Sequence, residues 1–276
     1  MKLLVAVGGF PHSSPTVAFA RQLAPGSTAS IVVLNVVESE ELRDRSEETL
    51  AAARKELDGL AVETLTRVGA PTEQILSEAA SGNYDLLVIG ARQKASLSEV
   101  LLGSVARKVV SRAPISALVV KGASRQLSRI LICTGGKRYA DPTVTEGLEL
   151  AKAAGAEVTL LYVAMQTPTM YAGLREVEQR LTELLQTDTD EARHLRRAAA
   201  TMKELQVEGS IQLRHGPVVD EILREAALGD YDLIVLGARF KRGPIRDLLW
   251  GNVTGGLLDR AKRPVLVAMG SSTGRW

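Results

Sequence analysis

Gly90 and Gly103 stand thirteen positions apart and bracket a polar stretch holding Arg92, Gln93 and Lys94, which runs into Ser104 and Val105. Amides exposed by glycine, a hydroxyl and cations at a helix start are groups that grip a polyphosphate. The first turn of a helix offers unpaired N–H groups and the positive end of its dipole. A second loop of this kind begins at Gly8 and Gly9 and continues Phe10-Pro11-His12-Ser13-Ser14-Pro15. Paired glycines let backbone N–H groups come close to a ligand, and Ser14-Pro15 is a helix-starting pair, cap residue then proline. Both loops return further along the chain. Gly135 and Gly136 lead to Asp141-Pro142, and Gly237, Arg239, Lys241 and Arg242 lead to Gly251 and Asn252.

These recurrences belong to a duplication of the whole chain. LLVAVGG at 3–9 returns as ILICTGG at 130–136, and YDLLVIGAR at 84–92 as YDLIVLGAR at 231–239. RVGAPTEQILSEA at 67–79 returns as RHGPVVDEILREA at 214–226, and RAPISALVV at 112–120 as RAKRPVLVA at 260–268. The offset is 127 at the first two strands and 148 at the last, so about 21 residues are inserted in the second copy, around 166–190. Leu174, Val177, Leu181 and Leu184 form one apolar stripe there, and Asp188 with Glu191 resembles a capping box starting a helix that ends near Leu205.

Within each copy, short β-branched runs alternate with helical spacing. In the first copy strands are expected at 2–7, 30–37, 62–68, 85–89 and 115–120, with helices at 15–24, 42–58, 71–80 and 104–112. Strands that read as near-continuous Val, Ile and Leu are covered on both faces, which means a parallel sheet. The expectation is two tandem α/β domains, 1–122 and 128–270, each a five-stranded parallel sheet flanked by helices. Their apolar last strands, 115–120 and 264–269, suit pairing with each other, giving an intramolecular pseudo-dimer that could itself form a homodimer.

Composition narrows the function. A net charge of +2 and 4% aromatic residues give no basic stripe or stacking platform for nucleic acid. The single cysteine, Cys133, excludes an internal disulfide and suits a reducing cytoplasm. His12, His194 and His215 lack partners at metal-ligand spacing. No run reaches the length of a membrane span, and none reads as a signal peptide. No carboxylate pair or nucleophile–base pair has a spacing that catalysis demands, so at most weak ATP hydrolysis is expected.

YDLLVIGAR followed by GSVARKVVSRAPISALVV closely resembles the end of a universal stress protein domain, and the resemblance extends over about 1–122 and 128–270. It implies Rossmann-like domains of the adenine nucleotide alpha hydrolase type with strand order 3-2-1-4-5. The family's nucleotide signature is glycine, two residues, glycine, nine residues, glycine, then Ser or Thr. Gly90, Gly103 and Ser104 match it, while Gln93 stands at the middle glycine. In the second copy Gly237 matches, Gly251-Asn252 fall one residue late, and Phe240 stands in the middle. Nucleotide-binding members carry an aspartate just after strand one, where this chain has Gly8 and Gly135. The resemblance also places Val36 near the base and Val105 at the phosphate-side helix start. It implies a stress-response regulatory module taking ATP or another adenine nucleotide, with Mg only as carried by ATP. The alternative is a member that works through an unknown protein partner without nucleotide.

Overall fold

The computed structural model describes residues 1–24, 29–93, 100–136, 140–164, 181–237 and 252–269. The first half runs β1 (Lys2–Val7), α1 (Ser14–Gln22), β2 (Ser30–Val37), α2 (Arg43–Glu56), β3 (Ala61–Val68), α3 (Pro71–Ser81) and β4 (Leu86–Gly90). It continues through a two-residue hairpin, β5 (Arg92–Gln93) and β6 (Val100–Leu101), into α4 (Ser104–Arg112) and β7 (Ser116–Val120). The second half repeats this with β8 (Arg129–Thr134), α5 (Asp141–Ala154), β9 (Glu157–Ala164), α6 (Leu181–Gln186), α7 (Asp190–Leu205) and β10 (Gly209–His215). It ends with α8 (Val218–Leu228), β11 (Leu233–Gly237), α9 (Asn252–Arg260) and β12 (Val265–Ala268). Most of the 166–190 insert lies outside the described residues.

All ten long strands form one sheet, in the order β10-β9-β8-β11-β12-β7-β4-β1-β2-β3. Counted within each half this is the expected 3-2-1-4-5. Every neighbouring pair is parallel except β12 with β7, which pair antiparallel through Val265–Val119, Leu266–Leu118 and Val267–Ala117. The two apolar last strands thus cover each other. Because strand direction reverses at this seam, the carboxyl ends of the two halves face opposite ends of the sheet.

Alternation along the strands divides the interior into two layers, each continuous through both halves. Leu3, Val5, Leu86 and Val88 pack with Ile130, Ile132, Leu233 and Val235 under α1, α2, α5 and α7. Leu4, Ala6, Leu87 and Ile89 pack with Leu131, Ile234 and Leu236 under α3, α4, α8 and α9.

The repeated Tyr-Asp pair has a structural task. Tyr84 donates to Glu78 Oε1 at 2.7 Å while Arg67 donates to Glu78 Oε2 at 2.8 Å. In the second half Tyr231 donates to Glu225 Oε1 at 2.9 Å and Arg214 Nε to Oε2 at 2.7 Å. The following aspartates hold the first strands: Asp85 accepts the Lys2 amide at 2.7 Å, and Asp232 accepts the amides of Ser128 and Arg129 at 3.0 Å each.

Four helix starts carry their cap one residue from the expected position. α7 is capped by Thr189, whose hydroxyl accepts the Ala192 amide at 3.2 Å, one residue after the expected Asp188. α1 and α5 have Ser14 and Asp141 as their first helical residues, with Ser13 and Ala140 at the cap positions. α4 has Gly103 at its cap, so Ser104 is the first helical residue.

Candidate functional site

In an open parallel sheet, ligands sit beyond the carboxyl ends of the strands, where the strand order reverses. In the first half that point lies between β1 and β4, the strands that end in the two loops singled out above.

The β5–β6 hairpin pairs Arg92 with Leu101 and Gln93 with Val100. It folds the loop back, so that Gly103 and the start of α4 return toward the end of β4. The side chains of Arg92 and Gln93, and residues 94–99, lie outside the described set. Gly103 adopts extended backbone, and its carbonyl accepts the Arg107 amide at 3.0 Å. Among the described residues no side chain caps α4, and its first turn holds no acidic residue. Ser104 is exposed and Val105 partly so, and among the described residues the amides of Ser104, Val105 and Ala106 meet no acceptor. A helix start of this kind has the free amides and positive dipole end that can accept an anion.

Gly90 also has a packing role. A Cβ there would lie 2.5 Å from Thr16 Oγ1, and Thr16 is buried. Gly237 meets Thr143 in the same way, at 2.7 Å. Both glycines let the first helix of their half close down on the end of the fourth strand.

At the other loop, Gly8 and Gly9 are open on the outside: a Cβ at either meets nothing within 4 Å. Their amides, however, are taken from within. Ser13 Oγ accepts Gly8 N at 3.1 Å and Gly9 N at 3.2 Å. The reason is the turn that brings Ser13 back, with its own amide on Gly9 O at 3.0 Å. Beneath it, buried Asn35 donates to Val7 O at 2.8 Å and pins the end of β1. Ser13 and Asn35 escaped the sequence reading, although one amide in the apolar run IVVLNVV was a visible signal. Val36, next to Asn35, is partly exposed beside this mouth, and His12 is exposed.

The second half is built otherwise. Sheet register places Thr134 and Tyr162 where the first half has Val7 and Asn35. Gly135 is exposed, but Gly136 is buried with φ of +69°, and a Cβ on it would lie 2.6 Å from the Tyr162 ring and 3.1 Å from Glu191 Cγ. Arg239 and Gly251 lie outside the described residues, and Asn252 begins α9.

Behind Gly136 runs a chain of polar groups, buried at Thr134 and His194 and reaching the surface at Asp141 and Arg197. Thr134 Oγ1 lies 2.6 Å from His194 Nε2, and His194 Nδ1 lies 2.5 Å from Asp141 Oδ1. Arg197 Nε donates to the other oxygen of Asp141 at 3.0 Å. A carboxylate only accepts, so Nδ1 carries the proton and Nε2 accepts from the threonine. The order hydroxyl, imidazole, carboxylate is that of a nucleophile relay. Here Thr134 is buried and also accepts the Gly136 amide at 3.3 Å, so the chain acts as a brace between β8, α5 and α7. Asp141, expected as a helix cap, serves this brace. Burial lowers the His194 pKa from its ordinary 6.5, with Asp141 opposing. The folded form therefore resists protonation, and stability is lost as pH falls below about 6.5. The expected result is a fall in thermal midpoint between about pH 7.5 and 5.5 that is smaller in His194→Gln; equal falls in both proteins would remove His194 as its source.

A family model for universal stress proteins matches residues 1–121 and again 127–268. Two universal stress proteins of Methanocaldococcus jannaschii are 35% identical over 85 residues and 33% identical over 82. The matches take in 30% and 29% of this chain and 50% and 51% of those proteins, so the chain spans about half the length of these relatives. A solved universal stress protein from Archaeoglobus fulgidus DSM 4304 has a TM-score of 0.73 at 17% identity, covering 98% of both chains. A putative one from Pseudomonas aeruginosa UCBPP-PA14 has a TM-score of 0.71 at 19% identity, covering 97% of this chain and 92% of that one. At such identities the two structures speak for the fold alone. The family model, matched in order by each half of a duplicated 3-2-1-4-5 sheet, places this chain in the universal stress protein family.

Proposed function

We propose that the first half binds an adenine nucleotide, phosphates at the start of α4 and nucleoside toward Val36 and the Gly8–Gly9 loop, and that the protein is a cytoplasmic regulatory module. The carrying observation is the uncapped α4 start, with Gly103 at its cap, exposed Ser104 and no acid in its first turn. It stands beside the switch point of a family member whose signature residues Gly90, Gly103 and Ser104 are kept. The fit is partial at the nucleoside end, where Gly8 has no side chain and the loop amides serve Ser13. A hydrogen bond to a charged group contributes about 1.5–3 kcal/mol, so its absence weakens binding by roughly one to two orders of magnitude. Millimolar ATP would still fill a sub-millimolar site. In the second half Tyr162 and Glu191 crowd Gly136, so the first half is the binding half.

Ser104→Asp separates binding from folding. A carboxylate in the first turn favours the helix but repels a phosphate. Calorimetric titration should show ATP binding weakened about tenfold with the thermal midpoint unchanged or raised. Equal ATP affinity in the variant would remove α4 from the site. The occupied amides of Gly8 and Gly9 favour the second reading, a protein-interaction member without nucleotide. That reading requires no thermal shift with millimolar ATP.

A further inference from the structure

A cavity of about 220 Å³ lies at the junction of the halves, where the end of β7, the linker after it and the loop between α9 and β12 meet. It is smaller than the pockets that take drug-sized ligands. Lys121, Arg125, Lys262 and Arg263 line it, with Asp232. Lys121 is only 2% exposed. Its ammonium donates to the carbonyls of Leu258 and Ala261 at 2.5 and 2.8 Å, the last carbonyls of α9 and the turn after it. That uses two of its three hydrogens. Arg125 and Arg263 converge on one oxygen of Asp230, at 2.8 and 2.5 Å. Asp232 is engaged by the amides of Ser128 and Arg129. Four cations thus face two carboxylates, leaving a surplus of about two positive charges in a small recess.

The duplication supplies an internal control. At the offset of 148 that relates the last strands, the position of Lys121 is taken by Met269. The fold therefore does not require a cation there. Burial lowers the Lys121 pKa to about 8, opposed by Asp259 and reinforced by Arg107. An ammonium placed at that expense among other cations calls for a counter-charge.

We propose that this cavity binds a small tetrahedral dianion, of the phosphate or sulfate class, through Lys121, Lys262 and Arg263. None of the residues lining the cavity belongs to the α4 start, and the proposal does not rest on the nucleotide reading.

Sulfate is the first probe, because its charge is constant across the working pH range. Calorimetry should show one saturable site per chain, weakened about tenfold or more by Lys121→Met, the residue of the second copy, and by severalfold in Lys262→Ala and Arg263→Ala. Ser104→Asp should leave it unchanged. Affinity should also fall as pH rises past about 8 and Lys121, with Asp259 and Arg107 acting on it and Arg125, Lys262, Arg263, Asp230 and Asp232 around the recess, loses its charge. Inorganic phosphate should compete; methyl phosphate binding as tightly assigns the site to a phosphomonoester, and its rejection assigns it to the free anion. Absence of saturable binding at about ten millimolar sulfate would overturn the proposal. So would unchanged binding in Lys121→Met, or loss of binding in Ser104→Asp. Should Lys121→Met fail to fold by circular dichroism, Lys262→Ala and Arg263→Ala decide, and unchanged affinity in both overturns it.

Discussion

Gly8→Asp is expected to tighten adenine-nucleotide binding by roughly ten- to a hundredfold. The position just after β1 is where nucleotide-binding relatives are expected to carry an aspartate, and here the backbone can take one. A Cβ at Gly8 meets no atom within 4 Å, and the residue does not occupy the left-handed region. The amide of residue 8 can keep its bond to Ser13, which needs no side chain at that position. The gain should belong to the nucleoside end alone. Titration with adenosine and AMP should show the same improvement as ATP, while inorganic tripolyphosphate should bind the variant and the parent equally. Unchanged adenosine affinity would mean that the base and ribose lie elsewhere.

Glu225→Ala is expected to destabilise the protein by roughly 3–5 kcal/mol, the range seen when one partner of a buried pair is removed. Glu225 is buried, and its loss takes one partner each from the buried Tyr231 hydroxyl, left with Thr159, and from the Arg214 guanidinium, only 26% exposed and left with Glu221 at 3.7 Å. The equivalent change in the first half, Glu78→Ala, should be milder, about 1–3 kcal/mol. Arg67 is 47% exposed and water can replace its lost partner, leaving only Tyr84 unsatisfied. Denaturant titrations of the two variants test this ranking, and equal losses would contradict it. Glu78 also adds a pH signature. Burial, the largest influence, raises its pKa, but hydrogen bonds from Arg67 and Tyr84 outweigh it and hold the value below 4.5. Its contribution is present above about pH 4.5 and lost as pH falls through the folded value. Glu78→Gln should remove that acid-sensitive increment.

The two halves have diverged most at their mouths. Their strands, Tyr–Glu–Arg networks and Thr–Gly contacts correspond position by position. Their loops after the first strand do not: the first half has Ser13 and Asn35, the second a Tyr162 wall and the Thr134–His194–Asp141 brace. Since the seam points these mouths to opposite ends of the sheet, one ligand cannot bridge them.

The repeat, the strands and their order of appearance, and the layered α/β class were legible in the amino-acid order alone. β1 and β2 fall on the expected residues, and α4 does so to the residue. Those features follow from periodicity and chain connectivity, which are local properties. Pairing of 115–120 with 264–269 was also legible, because two bare apolar edges in one chain have each other as the nearest cover. The contacts of the loop residues were set by the packed fold. Gly90 reads as a ligand glycine in the sequence, and only packing adds that Thr16, 74 positions away, closes against it. Gly8 and Gly9 read as free amides until Ser13 folds back on them. His194 reads as part of an added helix, yet α7 stands where α2 does, and the histidine meets Thr134 and Asp141 from two other elements. Side chains distant in sequence choose partners by the space the packed core leaves them, and no local pattern records that space.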